Sequence, residues 1–352
     1  MTDAQDHRWM GAALALAERG RGRTAPNPNV GCVIVRDGRV VGRGCTQPGG
    51  RPHAEAMALA QAGGVTRGAT AFVTLEPCAH LSPRGPACAD LLVAAGVARV
   101  VAALGDPDAR TDGAGLARLR AAGMEVSVGL RANEARRSMA GFLTRQTRGR
   151  PFVTLKLATS LDGCIALASG ESRWITGPEA RAHAHLERSR HEAILVGRGT
   201  WEADRPALDV RLPGLDGQSP RRVVLSSCAP AQAGAQSGKQ ETGGSGFPPT
   251  RERTEWITSP EQIADLAGVD HLLIEGGALA AAAFLSADLV DRLLLYRAPI
   301  LIGGGLPSLA DIGMTALTEA YGRWHRHDER QLGVDRLEVY ERSACSLVSY
   351  LT

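Results

Sequence analysis

Short apolar segments alternate with helical patterns through the first 128 residues, and this alternation restricts the fold more than any other feature. Apolar runs at 30–36, 70–76 and 97–104 suit strands. Two segments with helical spacing, 53–62 and 86–95, lie between these runs. That order predicts a mostly parallel sheet with helices on both faces. Further predicted elements are a helix over 6–20, a hairpin turn at Asp37-Gly38 with its second strand over 39–44, a helix over 114–122 and a strand over 124–128.

The alternation resumes after a basic stretch, residues 145–150, which we interpret as a linker. A length of 352 residues also suggests two domains. We therefore expect a first domain over 1–147, a second over 150–342 and a C-terminal tail over 343–352. The strands predicted in the second domain are 152–158, 193–197, 222–226, 271–275, 290–297 and 336–341.

Composition argues against several classes of function. Forty basic and 37 acidic residues give a net charge of +3, which is too small and scattered to predict a nucleic-acid or membrane partner. No apolar run approaches the roughly 18 residues of a membrane span, and the N-terminus lacks a signal-peptide pattern. Seven cysteines do not suggest a disulfide framework, so we expect a cytoplasmic protein. Residues 229–255, rich in Gly, Ser, Gln and Pro, predict a mobile surface insertion.

Three residues form a candidate zinc site. His53 begins a predicted helix, strand 70–76 leads into Cys78, and Cys88 follows after nine further residues. One imidazole and two thiolates leave the fourth position of a tetrahedral zinc open for water, which is the catalytic arrangement. Glu55 lies close enough to shuttle a proton without binding metal, as in the His-x-Glu and Pro-Cys pattern of zinc deaminases. The alternative is two unrelated buried thiols and a histidine at a helix start.

The string PNPNVGCVIV at 26–35, the HAE triplet at 53–55 and LEPCAH followed by GPAC resemble the bifunctional deaminase/reductases of riboflavin biosynthesis. The wide separation of the two cysteines is typical of that family. The resemblance covers residues 7–342 apart from the insertion. It implies an α/β protein with an N-terminal cytidine-deaminase-like three-layer αβα domain and a C-terminal dihydrofolate-reductase-like α/β domain.

For the first domain the resemblance implies hydrolytic deamination of 2,5-diamino-6-ribosylamino-4(3H)-pyrimidinone 5′-phosphate, with Glu55 relaying protons. Asn27 matches a position that hydrogen-bonds the pyrimidine, and His80 matches a second substrate-contacting position. Arg84 matches a basic position that holds the ribose phosphate. From the residues alone, Asn27 is equally suited to a turn beside proline.

Segments 152–177, 197–211 and 272–284 resemble the family's reductase domain. This implies NADPH-dependent reduction of the ribosyl group to ribityl by hydride transfer to C1′. A Gly-Gly pair between a strand and a helix also lets backbone N–H groups approach a phosphate. The matching dinucleotide positions are Ala158, Trp174, Thr200, Asp204, Ser227, Gly276, Gly277, Ala278, Leu279, Ala280, Ala281 and Ala282.

The matching substrate positions are Ser172, Arg188, Leu208, Arg211 and Glu275, and we expect Lys156 to face the reacting ribose. Fork geometry suits Arg188 and Arg211 to a phosphate dianion. Ordinary roles also fit several of these residues, with Arg188 on a solvated helix face, Asp204 as a loop cap and Trp174 in the core.

Two rival interpretations remain. One is a zinc nucleobase deaminase that acts on nucleic acid through an accessory binding domain, which the weak net charge disfavours. The other is a structural zinc module, which would need a fourth ligand, with His80 as the only nearby candidate. The expected cofactors are Zn²⁺ and NADPH, the expected partners are small pyrimidine ribose phosphates, and we expect a homo-oligomer.

Overall fold

The structure, a computed structural model, describes residues 2–80, 82, 84–226 and 254–343. Outside the described residues lie most of the predicted insertion 229–255, most of the predicted tail 343–352, and Ser227. The chain divides into two compact units, the first comprising residues up to 152 together with 268–270 and the second comprising the remainder.

The first unit contains six helices and five strands within its described residues. The helices are α1 (Asp3–Ala17), α2 (Ala54–Ala62), α3 (Cys88–Ala94), α4 (Ala114–Ala121), α5 (Ala132–Ser138) and α6 (Ala140–Arg148). The strands are β1 (Gly31–Arg36), β2 (Arg39–Cys45), β3 (Thr70–Val73), β4 (Arg99–Ala102) and β5 (Glu125–Val128). Each strand and helix predicted from the alternation is present, with most bounds within a few residues.

Close packing on both faces of one sheet gives this unit three layers. The strands run in the order β2-β1-β3-β4-β5, with β3, β4 and β5 parallel and β1 antiparallel to its two neighbours. A Cβ at Gly31 would overlap the carbonyl oxygen of Ala13 in α1, and one at Gly44 would overlap that of Ala54 in α2. Because these glycines point to opposite faces, α1 and α2 cover opposite sides of the sheet.

Helix α1 is specified by the hydrogen bonds at its N-terminus and by the burial of one face. Thr2 and Gln5 form a capping box, in which each side chain accepts a hydrogen bond from the other residue's backbone N–H. Met10 and Ala13 on the inner face are fully buried, whereas Trp9 is only partly buried against the core. Helical spacing therefore predicts the element, and packing decides which apolar residues lie deepest.

Residues 145–150, which were expected to be a linker, are partly helical. Residues 145–148 form the last turn of α6, which the sequence did not predict, and α6 ends at Gly149 in the left-handed conformation. The change of unit occurs a few residues later, at 152. Polar residues on one face of a short helix resemble a linker in composition, so the apolar pattern alone does not separate the two.

The second unit contains three helices and ten strands within its described residues. The helices are α7 (Pro178–Ser189), α8 (Arg198–Asp204) and α9 (Ala278–Ser286). The strands are β6 (Phe152–Thr159), β7 (Cys164–Ala166), β8 (Ala193–Gly197), β9 (Arg221–Leu225), β10 (Glu255–Ile257), β11 (His271–Ile274), β12 (Arg292–Arg297), β13 (Leu306–Pro307), β14 (Trp324–Leu332) and β15 (Asp335–Arg342).

Eight of these strands form one mixed sheet in the order β10-β9-β8-β11-β6-β12-β15-β14. The central strands β8 and β11 are buried along their whole length, as expected for strands covered on both faces. Strands β12, β15 and β14 are antiparallel and close one edge. The predicted C-terminal boundary of the insertion, residue 255, is wrong, because Glu255 belongs to β10 and pairs with Val223 in β9.

Among the described residues, no helix combines the length and the apolar character that crossing a bilayer requires.

Candidate active sites

Three elements of the first unit bring one imidazole and two thiols together. His53 caps the N-terminus of α2, Cys78 follows β3, and Cys88 is the first residue of α3. One ligand atom from each residue lies within 4.8 Å of the other two. His53 Nδ1 is 3.3 Å from the Cys88 sulfur and 3.6 Å from the Cys78 sulfur. These donors match the softness and number that a three-ligand zinc site requires.

The pKa values of Cys78 and Cys88 are shifted in opposite directions. A hydrogen bond from the Cys88 thiol lowers the pKa of Cys78 to about 4, and the Cys88 backbone N–H also donates to that sulfur at 3.3 Å. The same interaction raises the pKa of Cys88. Cys78 therefore favours the thiolate, the form of cysteine that binds metal, where it faces the first backbone N–H of α3 and the imidazole of His53.

Glu55 occupies the first turn of α2, on the same segment as His53, and is only 3% exposed. Burial raises the pKa of its carboxyl to about 7, against the opposing effect of His53, and the Cys88 thiol lies within hydrogen-bonding reach. A carboxyl that titrates near neutral pH beside a metal site is suited to accepting and returning a proton.

Asn27 contacts a predicted metal ligand. Its Nδ2 donates to the carbonyl oxygen of Gly50 at 2.9 Å and lies 2.9 Å from His53 Nε2. The amide therefore fixes the orientation of the imidazole and leaves Nδ1 facing the two sulfurs. This contact was not expected from the sequence, which indicated a pyrimidine contact or a turn.

The two other predicted substrate residues lie on the loop between the cysteines. His80 Nδ1 is 3.4 Å from the hydroxyl of Thr111, and Arg84 Nη2 donates to the carbonyl oxygen of Gly49 at 2.8 Å. A cavity of about 420 Å³ opens beside the candidate metal site, and its lining includes Arg51, His53, Ala56, Arg84, Cys88 and Leu91. Arg51 was not singled out from the sequence, although it lies only two residues before His53.

Sequence reasoning also missed a buried carboxylate next to the metal site. Glu76 precedes Pro77-Cys78, and its two oxygens accept four backbone N–H bonds of 2.9 to 3.2 Å. The donors are Asp106, Gly113, Gly115 and Leu116. A Cβ at Gly115 would overlap the carbonyl oxygen of Pro77, so the loop and the start of α4 press directly against the cysteine-bearing segment.

We expect Glu76→Gln to lower the free energy of unfolding of the first unit by about 2 to 4 kcal/mol, since an amide nitrogen cannot accept the bonds made by one carboxylate oxygen. Urea unfolding of the full-length chain measures this change. Glu125→Gln is the matched control, because that side chain is 71% exposed and pairs only at the surface with Arg99. Equal, small effects of both substitutions would contradict the anchoring role of Glu76.

In the second unit, seven predicted residues line one cavity of about 250 Å³. They are Lys156, Ala158, Ser172, Trp174, Arg188, Arg211 and Glu275. Trp174 is 65% exposed, with the guanidinium of Arg181 4.6 Å from its ring centre, so it is not a core residue. Leu208 instead is buried in an apolar cluster with Ile194 and Val196.

Arg188 differs from its expected role as a free phosphate fork. Its Nε and Nη2 donate to the two carboxylate oxygens of Glu275 at 2.7 and 2.9 Å, and its Nη1 donates to the carbonyl oxygen of Asp209. Lys156 Nζ lies 3.6 Å from the same carboxylate. The guanidinium fork is therefore already matched to an acid within the protein. Arg211 is 62% exposed and has one longer contact, 3.5 Å, to Asp209, so it is the better placed of the two arginines for a phosphate.

Of the predicted dinucleotide residues, Gly276 and Gly277 follow β11, and Ala278 to Ala282 form the start of α9. Gly277 caps α9, and a Cβ built on it would lie 3.4 Å from the hydroxyl of Thr200. Asp204 ends α8 and lies 3.8 Å from an Arg173 nitrogen. The Ala281 N–H donates to the Gly277 carbonyl oxygen, so the run that presents N–H groups to an anion ends before Ala281. Ala280, Ala281 and Ala282 are buried.

Residues 3–104 match the family model for the cytidine and deoxycytidylate deaminase zinc-binding region, and residues 151–326 match that for the RibD C-terminal domain. The riboflavin biosynthesis protein RibD of Escherichia coli (strain K12) is 43% identical, over 90% of this chain and 94% of that protein. The chain belongs to the RibD family. RibD of Haemophilus influenzae is 39% identical, with 94% and 96% of the two chains covered.

Solved RibD structures superpose on this chain over nearly its whole length. A diaminohydroxyphosphoribosylaminopyrimidine deaminase/5-amino-6-(5-phosphoribosylamino)uracil reductase from Thermotoga maritima has a TM-score of 0.81 at 32% identity, with 96% of this chain and 99% of that chain covered. Acinetobacter baumannii RibD gives a TM-score of 0.78 at 36% identity with the same coverage.

These comparisons confirm the predicted family, fold class and function. The chain is a bifunctional RibD enzyme of riboflavin biosynthesis, with an N-terminal deaminase domain and a C-terminal reductase domain. Its cofactors are zinc and NADPH, as predicted. The nucleic-acid alternative is not favoured, because the second half matches a reductase domain.

Proposed function

We propose that residues 1–147 deaminate 2,5-diamino-6-ribosylamino-4(3H)-pyrimidinone 5′-phosphate and that residues 150–342 then reduce its ribosyl group to ribityl, with the tail 343–352 outside both domains. The observation that carries the first assignment is the convergence of His53, Cys78 and Cys88 on one point, with Glu55 buried beside it. The order of the steps follows from the chemistry, because the reductase acts on the deaminated pyrimidine.

In the deaminase domain, His53, Cys78 and Cys88 hold the zinc. When bound, zinc lowers the pKa of a water molecule to about 7 and supplies the nucleophile for deamination. The Glu55 carboxyl accepts a proton at one of its oxygens and returns it to the departing amine. Asn27 holds the imidazole and faces the pyrimidine side of the site, His80 contacts substrate, and Arg84 binds the ribose phosphate.

In the reductase domain, NADPH supplies the hydride. We propose that Ala158, Trp174, Thr200 and Asp204, together with the run from Gly276 into the first turns of α9, bind the dinucleotide. The first-turn N–H groups face its phosphates. Ser227 belongs to the same proposed set but lies outside the described residues.

The substrate side of this pocket is assigned to Lys156, Ser172, Arg188, Leu208, Arg211 and Glu275. The Glu275 carboxylate holds Arg188 and Lys156 in place, so that Lys156 is directed at the reacting ribose. Arg211, exposed at the rim, binds the phosphate dianion. Leu208, buried in the apolar cluster with Ile194 and Val196, completes the proposed set.

We also propose that the enzyme is a cytoplasmic homo-oligomer without a nucleic-acid partner. Cys32, Cys45, Cys78, Cys88 and Cys164 are all free thiols, which suits a reducing compartment. Light scattering with and without added RNA tests the oligomer and the absence of binding together. A monomer, or a mass increase with RNA, would contradict this assignment.

Metal removal separates the two activities. We expect chelator-treated protein to release no ammonia from the diaminopyrimidine substrate and still to oxidise NADPH in the presence of the deaminated substrate, because only the first site uses zinc. Product masses and NADPH absorbance measure the two reactions, and added zinc should restore the first. Sustained deamination by metal-free protein would reject the assignment of the site.

A further inference from the structure

Two arginines from different segments line the cavity beside the candidate metal site. Arg51 lies on the segment that leads into His53, and Arg84 lies on the loop that leads into Cys88. Because two residues span at most about 7 Å of extended chain, the backbone of Arg51 is close to the metal ligand. Each arginine therefore lines the cavity from a segment that also carries a proposed zinc ligand.

The two segments hold one another. Arg84 Nη2 donates to the carbonyl oxygen of Gly49, two residues before Arg51. In return, Arg51 Nη1 lies 3.0 Å from the position that a Cβ on Gly85 would take, directly beside Arg84. The absence of a side chain at Gly85 leaves the space in which the Arg51 guanidinium rests. The side chain of Arg84, although exposed, is thus tied to the Arg51 segment by a hydrogen bond, and the Arg51 guanidinium rests beside Gly85.

Within the described residues, no carboxylate pairs with Arg51 or Arg84, and none lines the cavity. Two unneutralised like charges at one cavity repel each other, and the repulsion is relieved when an anion binds between them. A phosphate dianion matches the fork geometry of two guanidinium groups. The rest of the lining is largely apolar, with Pro52, Ala56 and Leu91, so the charged end of a ligand would be held by the arginines.

We propose that Arg51 is a specificity-determining residue of the deaminase, which binds the 5′-phosphate of the substrate together with Arg84. Arg51 thereby makes the deaminase prefer the phosphorylated pyrimidine riboside over the free riboside. This inference rests on the proposed function of the first domain and adds a residue to its substrate site.

The test compares the zinc-loaded full-length chain with Arg51→Gln and Arg51→Lys, using the phosphorylated substrate and its dephosphorylated riboside. For Arg51→Gln we expect KM for the phosphorylated substrate to rise about 10-fold to 100-fold, the range for a lost hydrogen bond between charged groups, with kcat within about two-fold. KM for the riboside should not change. Arg51→Lys should recover part of the loss, because it keeps the charge without the fork.

Arg43→Ala is the matched control, since Arg43 is an exposed arginine of the same domain on β2, outside the cavity. Its KM values should equal those of the wild type. An equal rise in KM for both substrates in Arg51→Gln, or no rise for either, would overturn the role of Arg51. Equal loss of zinc from Arg51→Gln and Arg51→Lys would overturn it as well, since the residue would then only support the fold.

Failure of the proposed function gives a different result. If the zinc-loaded wild type released no ammonia from the phosphorylated substrate, the deaminase assignment itself would be wrong. If the wild type deaminated that substrate and Arg51→Gln did so with the same KM, only the inference about Arg51 would be wrong.

Discussion

Glu55→Gln is expected to lower the turnover of deamination by about 100-fold to 10,000-fold, the usual contribution of a positioned acid or base. The carboxyl is buried beside His53 and the Cys88 thiol, where the solvent cannot replace it as a proton carrier. Glutamine has the same size and no charge, so the packing at the start of α2 is preserved, but an amide cannot take up and return the proton. Ammonia release under saturating substrate measures the effect.

The second activity of the chain is the internal control for this variant. NADPH oxidation with deaminated substrate should equal that of the wild type, and zinc content should remain one ion per chain because Glu55 is not a ligand in the proposed site. Glu125→Gln again supplies a surface control in the same unit. Undiminished ammonia release from zinc-loaded Glu55→Gln would remove the carboxyl from the mechanism.

Glu275→Gln is expected to destabilise the second unit by about 3 to 5 kcal/mol and to abolish most of the reductase activity. Its carboxylate neutralises Arg188 through two hydrogen bonds and lies 3.6 Å from Lys156 Nζ, so a neutral amide leaves two cations facing each other in a partly buried cavity. Denaturant unfolding and NADPH oxidation measure the two losses. Deamination should continue where the first unit remains folded.

The same carboxylate gives the stability of the second unit a defined dependence on pH. Burial alone would raise the pKa of Glu275, but the charges of Lys156 and Arg188 outweigh it and lower that pKa to about 2. A glutamate in the unfolded chain titrates near about 4.3. The stabilisation is therefore complete above that pH and is lost as the pH falls toward 2. In Glu275→Gln this part of the acid-induced loss should be missing.

Glu261→Gln is the control for both measurements, because Glu261 is an exposed acid of the same unit. It should leave the reductase activity and the acid dependence of unfolding unchanged. A reductase that tolerated Glu275→Gln with undiminished stability would show that the two cations do not need this counter-charge.

The sequence predicts the alternating elements well where apolar residues are periodic. The buried strands β8 and β11 and the helix after His53 follow directly from runs of apolar residues. Strand β14 has the sequence WHRHDERQL, with no such run, and forms because its backbone pairs with β15 at the sheet edge. Pairing of this kind depends on a neighbouring strand and leaves little trace in composition.

For the sites, the His-x-Glu and Pro-Cys pattern predicted that His53, Cys78 and Cys88 come together, and the structure brings them within 4.8 Å of one another. Contacts made through the backbone could not be predicted in this way. The carboxylate of Glu76 accepts hydrogen bonds from four backbone N–H groups that lie some 30 to 40 positions away in the sequence. Almost any residue type can supply a backbone N–H, so the sequence carries no signal for these bonds. Arg188 was predicted as a phosphate fork, since the sequence does not show that Glu275 faces it.

Glu275 is followed directly by Gly276 and Gly277, at the point where β11 ends and α9 begins. The residue that orders the substrate side of the pocket and those proposed to meet the nucleotide phosphates are thus consecutive, with Cα atoms about 3.8 Å apart. In the proposed site, one short peptide therefore fixes the spacing between the substrate contacts and the phosphate contacts. Inserting a single residue at this junction would misalign them even with every side chain intact.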